Sequence, residues 1–172
     1  HSPETETELE LFKHCYLRFV HTDYSNDIAI NFQVHPKAGV LAADAIPLIF
    51  GSYQMTMYVQ NFSEIWNQYY FSGEVKSYRS ILSLSKNQIK AVINEVNLWS
   101  QDISKIGHYT LFKNNCVGAL IKLFKNSNVL DSSTPHEYHP GQFPKWLIQN
   151  GLTNFPIKVL KPANIRAQLE KI

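Results

Sequence analysis

Apolar and polar residues alternate through much of the first half of the chain and recur every three to four residues in the second. Ile28, Ile30, Phe32 and Val34 are separated by Ala29, Asn31 and Gln33, the period of two expected of a half-buried strand. His14 to Val20, Tyr53 to Val59 and Tyr78 to Leu84, rich in β-branched and aromatic residues, are read as further strands. Between the last two, Phe62, Ile65, Trp66 and Tyr69 keep helical spacing, and Gly73 is placed to end that helix.

The second half reads as helices. Ser85-Lys86-Asn87-Gln88 is a capping box, after which Ile89, Val92, Ile93, Val96, Trp99 and Ile103 are expected on one face of a helix of about four turns. Val117, Leu120, Ile121 and Phe124 predict another helix starting near Cys116, with Asn114 or Asn115 as its N-cap. Phe143 to Asn150 looks like a short helix stopped by Gly151, and Pro162 to Ile172 like a terminal one. Strands first and helices afterwards imply an α+β domain, and 172 residues fit one domain over 1–172.

Composition narrows the function classes. An apolar share of 44% supports a substantial core, and a net charge of +2 with scattered Lys and Arg leaves no basic stripe for nucleic acid. The longest apolar run, around Val40 to Phe50, is broken by Asp44 and Pro47 and falls short of a membrane span. The chain opens His1-Ser2-Pro3 without an initiator Met, which points to a preceding segment, a removed signal peptide or a trimmed tag alike. His136-Glu137-Tyr138-His139 lacks zinc-protease spacing and lies between Pro135 and Pro140, so no metal site and no cofactor is expected.

The candidate chemistry centres on Cys116. A thiol in the first turn of a helix meets free N–H groups and the positive end of the macrodipole, which favour thiolate and can also receive an oxyanion. Such a nucleophile needs a base, and His14, on a predicted strand, is the candidate among seven histidines. By alternation His14, Tyr16 and Arg18 share one strand face, while Cys15, Leu17 and Phe19 share the other. Cys15 is therefore expected in the core, away from His14, as inert packing rather than as a disulfide partner of Cys116. Asn31 and Gln33 offer amide oxygens that could accept from His14, the alternative being that both face water.

The segment His14-Cys15-Tyr16-Leu17-Arg18 resembles the His-x-x-Leu-Arg stretch of a bacterial envelope family that includes the N-terminal periplasmic domain of a lipoprotein N-acyltransferase. The resemblance continues in order through Gly73-Glu74, Leu84-Ser85 and the capped helix to Tyr109-Thr110-Leu111-Phe112-Lys113-Asn114-Asn115-Cys116, over about residues 12 to 125. It implies a circularly permuted papain-like (NlpC-like) fold, an antiparallel sheet packed against helices, with His before Cys. It implies that Cys116 attacks an ester or amide carbonyl, that His14 moves the proton and that Asn31 orients His14. Asn115, Tyr109 and Arg18 become candidates for oxyanion and substrate contacts.

The substrate so implied is a lipid or lipoprotein acyl group, with phospholipid as donor, in the periplasm or cell envelope. Phe62, Trp66, Tyr69, Tyr70 and Phe71 are candidates for an acyl groove or a membrane-surface contact. Other readings are a cysteine peptidase or amidase on cell-wall peptides, and a binding module that kept the fold without the activity. The chain departs from the family at Lys13, where Gly is usual, and at Val117, where Ser or Thr is usual.

Overall fold

The computed structural model describes residues 14–20, 27–34, 50–66, 77–135, 139–153 and 158–160. Within them lie strands β1 (Tyr16–Phe19), β2 (Ile28–Val34) and β3 (Tyr53–Asn61), helix α1 (Phe62–Trp66), β4 (Ser77–Arg79), α2 (Lys86–Gln101), a 3-10 turn (Ile103–Lys105), β5 (His108–Tyr109), α3 (Cys116–Asn126), α4 (Phe143–Gln149) and β6 (Lys158–Leu160). The architecture is α+β. An antiparallel four-stranded sheet runs β1-β2-β3-β5, and β4 pairs with β6 in a separate two-stranded ribbon.

The register explains what the sheet covers. Leu17 pairs with Ile30, and Phe32 pairs with Met57. Ile30, Phe32 and Met55 belong to the core, joined there by Val92, Val96 and Trp99 of α2 and by the buried length of α3. Phe32 meets Trp99 edge-on at 5.8 Å between ring centroids, an arrangement that aromatic quadrupoles favour.

β2 is buried more deeply than a strand with one wet face. Ala29 and Asn31, the residues alternating with its core positions, are fully buried. Their strand neighbours Arg18 and Tyr16 meet α1: Tyr16 lies 5.8 Å from Phe62, and the Arg18 guanidinium stands 3.7 Å over the Phe62 ring. A helix folded back onto a sheet is a tertiary event, and alternation on one strand carries no trace of it.

Other expectations need correction. His14 and Cys15 precede β1 rather than lying in it. The strand expected over Tyr78 to Leu84 is confined to Ser77–Arg79, and residues 80–85 run without regular structure into the Ser85 cap. On α2 the buried set is Val92, Val96 and Trp99, whereas Ile89 and Ile93 are exposed and Ile103 has left the helix. Asp102 adopts extended backbone and caps the 3-10 turn, which ends the helical register before Ile103. Gly151, with φ of 67°, follows α4 as expected. The segments Asn67 to Gly73 and Pro162 to Ile172 lie outside the described residues. Among the described residues no helix is long and apolar enough to cross a membrane.

Candidate active site

Cys116 opens α3, and the local sequence makes that start rigid. Asn115 takes an extended conformation, and its Oδ1 accepts from the N–H groups of Val117 and Gly118 at 3.0 and 3.1 Å. Its Nδ2 donates to the Leu111 carbonyl at 3.0 Å, so the cap is anchored from behind. Both amide atoms are thus engaged and the residue is buried, which makes Asn115 the support of the helix start.

The preceding turn is fixed in the same manner. Thr110 and Asn114 form an antiparallel bridge, and Thr110 Oγ1 accepts from the Asn114 N–H at 2.8 Å. The Asn114 side chain donates to the carbonyls of Ile106 and His108, spanning Gly107. Gly107 sits at φ of 89°, and a Cβ there would stand 3.3 Å from Asn114 Nδ2, so glycine suits the turn on both counts. This turn starts β5, whose Tyr109 stands near enough to Cys116 for the sulfur's charge to affect the phenol. Burial first, and then that charge, raise the Tyr109 pKa above its ordinary value.

Three groups bias the Cys116 thiol toward its charged form: the Cys15 thiol, the Cys15 backbone N–H and the His14 ring. The hydrogen bond from the Cys15 thiol is the largest influence. Together with the bond to His14, the imidazolium charge and the Cys15 N–H, it outweighs burial and holds the Cys116 pKa well below that of an ordinary thiol. Burial alone would lower the His14 pKa, but the hydrogen bond and charge of Cys116, with the bond to Asn31, raise it. Cys15 responds in the opposite sense to its neighbour. Its bond to the Cys116 sulfur, then burial, then the thiolate charge keep it protonated well above the ordinary thiol range. The arrangement favours a thiolate–imidazolium pair with a neutral thiol beside it.

His14 is held by Asn31, whose Oδ1 meets His14 Nε2. An oxygen acceptor there places a proton on Nε2 and turns the Nδ1 side of the ring toward other partners. Asn31 is fully buried, so it does not face water. Its Nδ2 lacks a hydrogen-bond partner, the one such buried side-chain atom among the described residues.

The structure therefore brings Cys116, His14 and Asn31 together, with Tyr109 near and Asn115 behind. Arg18 stands elsewhere: its Nε donates to Asp27 Oδ2 at 2.8 Å, a second guanidinium nitrogen bonds the same oxygen, and its face covers Phe62. Sequence reasoning misplaced Cys15. Alternation would send it away from His14, but both residues lie ahead of β1, where the pleat imposes no such rule, and both reach Cys116. Adjacency to the candidate histidine was the only signal available. Val117, at the family's hydroxyl position, is fully buried core. Lys13, Tyr69, Tyr70, Phe71 and 136–138 of the His-rich loop fall outside the described residues.

Comparison with known families matches residues 7–141 to the Lnb N-terminal periplasmic domain. No curated protein and no solved structure gives a significant match. The chain belongs to the Lnb N-terminal periplasmic domain family, and its place is the bacterial periplasm.

Proposed function

We propose that this periplasmic domain is a thiol enzyme of acyl transfer or hydrolysis, with Cys116 as nucleophile and His14 as its acid–base partner. The observation that carries the reading is the convergence on one sulfur, at the start of a capped helix, of a histidine that is itself held by a buried amide. A structural cysteine in a core has no use for a thiolate-stabilising environment, whereas a nucleophile requires one.

In the proposed reaction the Cys116 thiolate attacks a carbonyl carbon, and the electron pair of the C=O moves to oxygen. The Cys116 N–H, at the first position of α3, is the proposed donor to that oxyanion, with the Tyr109 phenol as a second. The His14 imidazolium gives its proton to the departing alkoxide or amine, leaving a thioester on Cys116. Neutral His14 then takes a proton from the acceptor, an amine for transfer or water for hydrolysis, as the acceptor attacks the thioester. Asn31 keeps the ring directed at the sulfur through both proton movements. His14 ahead of a strand and Cys116 at a later helix start support the permuted papain-like layout.

A lipid or lipoprotein acyl group is the proposed substrate, drawn from the family relationship. Phe62 contributes to packing between α1 and β1, so any acyl groove built from the aromatic segment rests on its remaining members.

The test is the alkylation rate of Cys116 by iodoacetamide as a function of pH, in wild type and His14→Ala. A lowered thiol pKa and a raised imidazole pKa bracket a pH window in which the ion pair dominates. Below the window the sulfur is protonated; above it His14 loses the proton it must donate. Wild-type alkylation should therefore reach half its maximum below the ordinary thiol value of about 8.5, and His14→Ala should move that midpoint upward. An ordinary midpoint in both proteins would sink the proposal.

A further inference from the structure

We propose that the rim carrying Phe50, Phe112 and Lys113 docks on an anionic phospholipid surface and holds the start of α3 close to it. Phe50 and Phe112 are 77% and 61% exposed, the two most exposed large apolar side chains among the described residues. Apolar residues scattered singly over a surface need no explanation, but these two share one place.

The β3–β5 ladder puts them there. Tyr53 lies opposite Tyr109 and Gln54 opposite His108. Just ahead of Tyr53, Gly51 takes φ of 77° and packs on the end of β5: a Cβ there would stand 2.9 Å from Thr110 Cγ2 and 3.5 Å from the Tyr109 carbonyl oxygen. Phe50 enters that contact from one side. On the other, the turn closed by the Thr110–Asn114 bridge carries Phe112 at its middle.

That turn is held by its own bonds. Thr110 Oγ1 accepts from the Lys113 and Asn114 N–H groups, and the Leu111 carbonyl accepts from Asn115 Nδ2. Phe112 is thus presented to solvent by a braced turn. The same bonds run into the Asn115 cap, so whatever Phe112 rests on is tied to the first residue of α3.

Charge selects the occupant. From Ile103 to Asn126 the chain carries four lysines and no acidic residue, and from Phe50 to Phe62 it carries no Asp, Glu, Lys or Arg. The whole chain is only +2, so the remainder is net acidic and the basic excess is concentrated here. Lys113 adjoins Phe112 and is exposed, and Lys122 Nζ bonds the Lys105 and Ile106 carbonyls beside Gly107, at the start of β5. Lys125 points its amine at the Ser132 and Thr134 carbonyls instead, and Asp102 turns its carboxylate onto Ser104. Two phenyl rings framed by ammonium groups match a bilayer interface, where acyl chains receive the rings and phosphates the charges. The choice of a lipid rests on the reading of Cys116 as a nucleophile for lipid acyl groups, since a bilayer at this rim brings that substrate to it.

The experiment measures partitioning of the folded chain onto vesicles of equal parts phosphatidylglycerol and phosphatidylcholine, against phosphatidylcholine alone. Wild type should bind the anionic vesicles, weaken on the order of tenfold between about 50 mM and about 500 mM salt, and bind the neutral ones far less. Phe112→Ser should weaken binding on the order of tenfold and Phe50→Ser/Phe112→Ser on the order of a hundredfold, for the lost ring burial. Lys113→Ala should cost about fivefold. Ile148→Ser, which removes an exposed apolar residue of α4, should bind as wild type does. Circular dichroism identifies the folded variants, and the salt and lipid dependence of wild type stands without any variant.

No binding by wild type, binding indifferent to phosphatidylglycerol and salt, or folded rim variants that bind as wild type does would overturn the proposal. So would binding to soluble polyglutamate with none to vesicles, which would make the rim a site for acidic polypeptide. Cys116 alkylation in the same proteins separates this result from the enzyme reading. A chain with His14-dependent alkylation that ignores vesicles keeps the nucleophile and loses the docking rim. One that binds vesicles with an ordinary thiol midpoint keeps the rim and loses the nucleophile.

Discussion

Helices α2 and α3 begin with the same device and end in different situations. Each starts at an extended residue whose side chain accepts from the helix's own first N–H groups, Ser85 in one and Asn115 in the other. Ser85 does so at the surface, within a reciprocal box completed by Gln88. Asn115 does so in the interior, and every residue from Cys116 to Ile121 is buried. A surface cap satisfies donors that water could satisfy, so it tunes helix stability modestly. A buried cap holds donors that have no alternative, and it fixes the first residue of the helix against its neighbours. Only the second setting can keep Cys116 in register with His14 and Cys15.

The interior of this pair should be the most sensitive place. Trp99 ties α2 to its neighbours, edge-on to Phe32 of β2 and with Lys122 Nζ of α3 5.9 Å from its ring centroid, while its Nε1 donates to Glu95 Oε1 of its own helix at 2.6 Å, and it is fully buried. Trp99→Ala is expected to cost about 3–5 kcal/mol in chemical denaturation, the range for removing a large aromatic from a packed core.

The two caps give the sharpest comparison. Asn115→Ala leaves the Val117 and Gly118 N–H groups and the Leu111 carbonyl without their partner, for an expected loss of roughly 2–4 kcal/mol. Ser85→Ala, where water replaces the hydroxyl, should lose about 1 kcal/mol. Equal denaturation midpoints for the two variants would break the distinction between buried and exposed caps.

The smallest effect is expected on the outer side of α2. Ile93 belongs to the apolar periodicity yet is 43% exposed, so Ile93→Lys should stay within about 0.5 kcal/mol of wild type. A loss of several kcal/mol, read in the same denaturation series, would mean that this face is covered.

Much of the helical half was legible because its signals are local. A hydroxyl three residues ahead of Gln88, an amide ahead of Cys116 and a glycine after α4 act through bonds within a few residues of themselves, so spacing alone reveals them. The β2 alternation was equally plain, and it put Asn31 and Gln33 on one polar face with water as an equal alternative to His14; the structure pairs Asn31 with His14. The early end of the Tyr78 strand was less so. Its partner among the described residues, β6, lies some eighty residues further on, beyond the reach of any local signal.

By itself, then, the sequence determined which residues cap, which repeat and which could act as nucleophile and base, because propensity, periodicity and side-chain chemistry are properties of short stretches. Tertiary structure decided the rest. The packing of α1 over the sheet committed Arg18 to Asp27 and Phe62. The burial of β2 on both faces took Asn31 out of water. The approach of α3 to β1 brought Cys15 and Cys116 near enough for each to shift the other's pKa. Each of these outcomes depends on a contact between residues far apart in the chain. The free energy of such a contact, through desolvation, charge and hydrogen bonding, exists only once the elements have met.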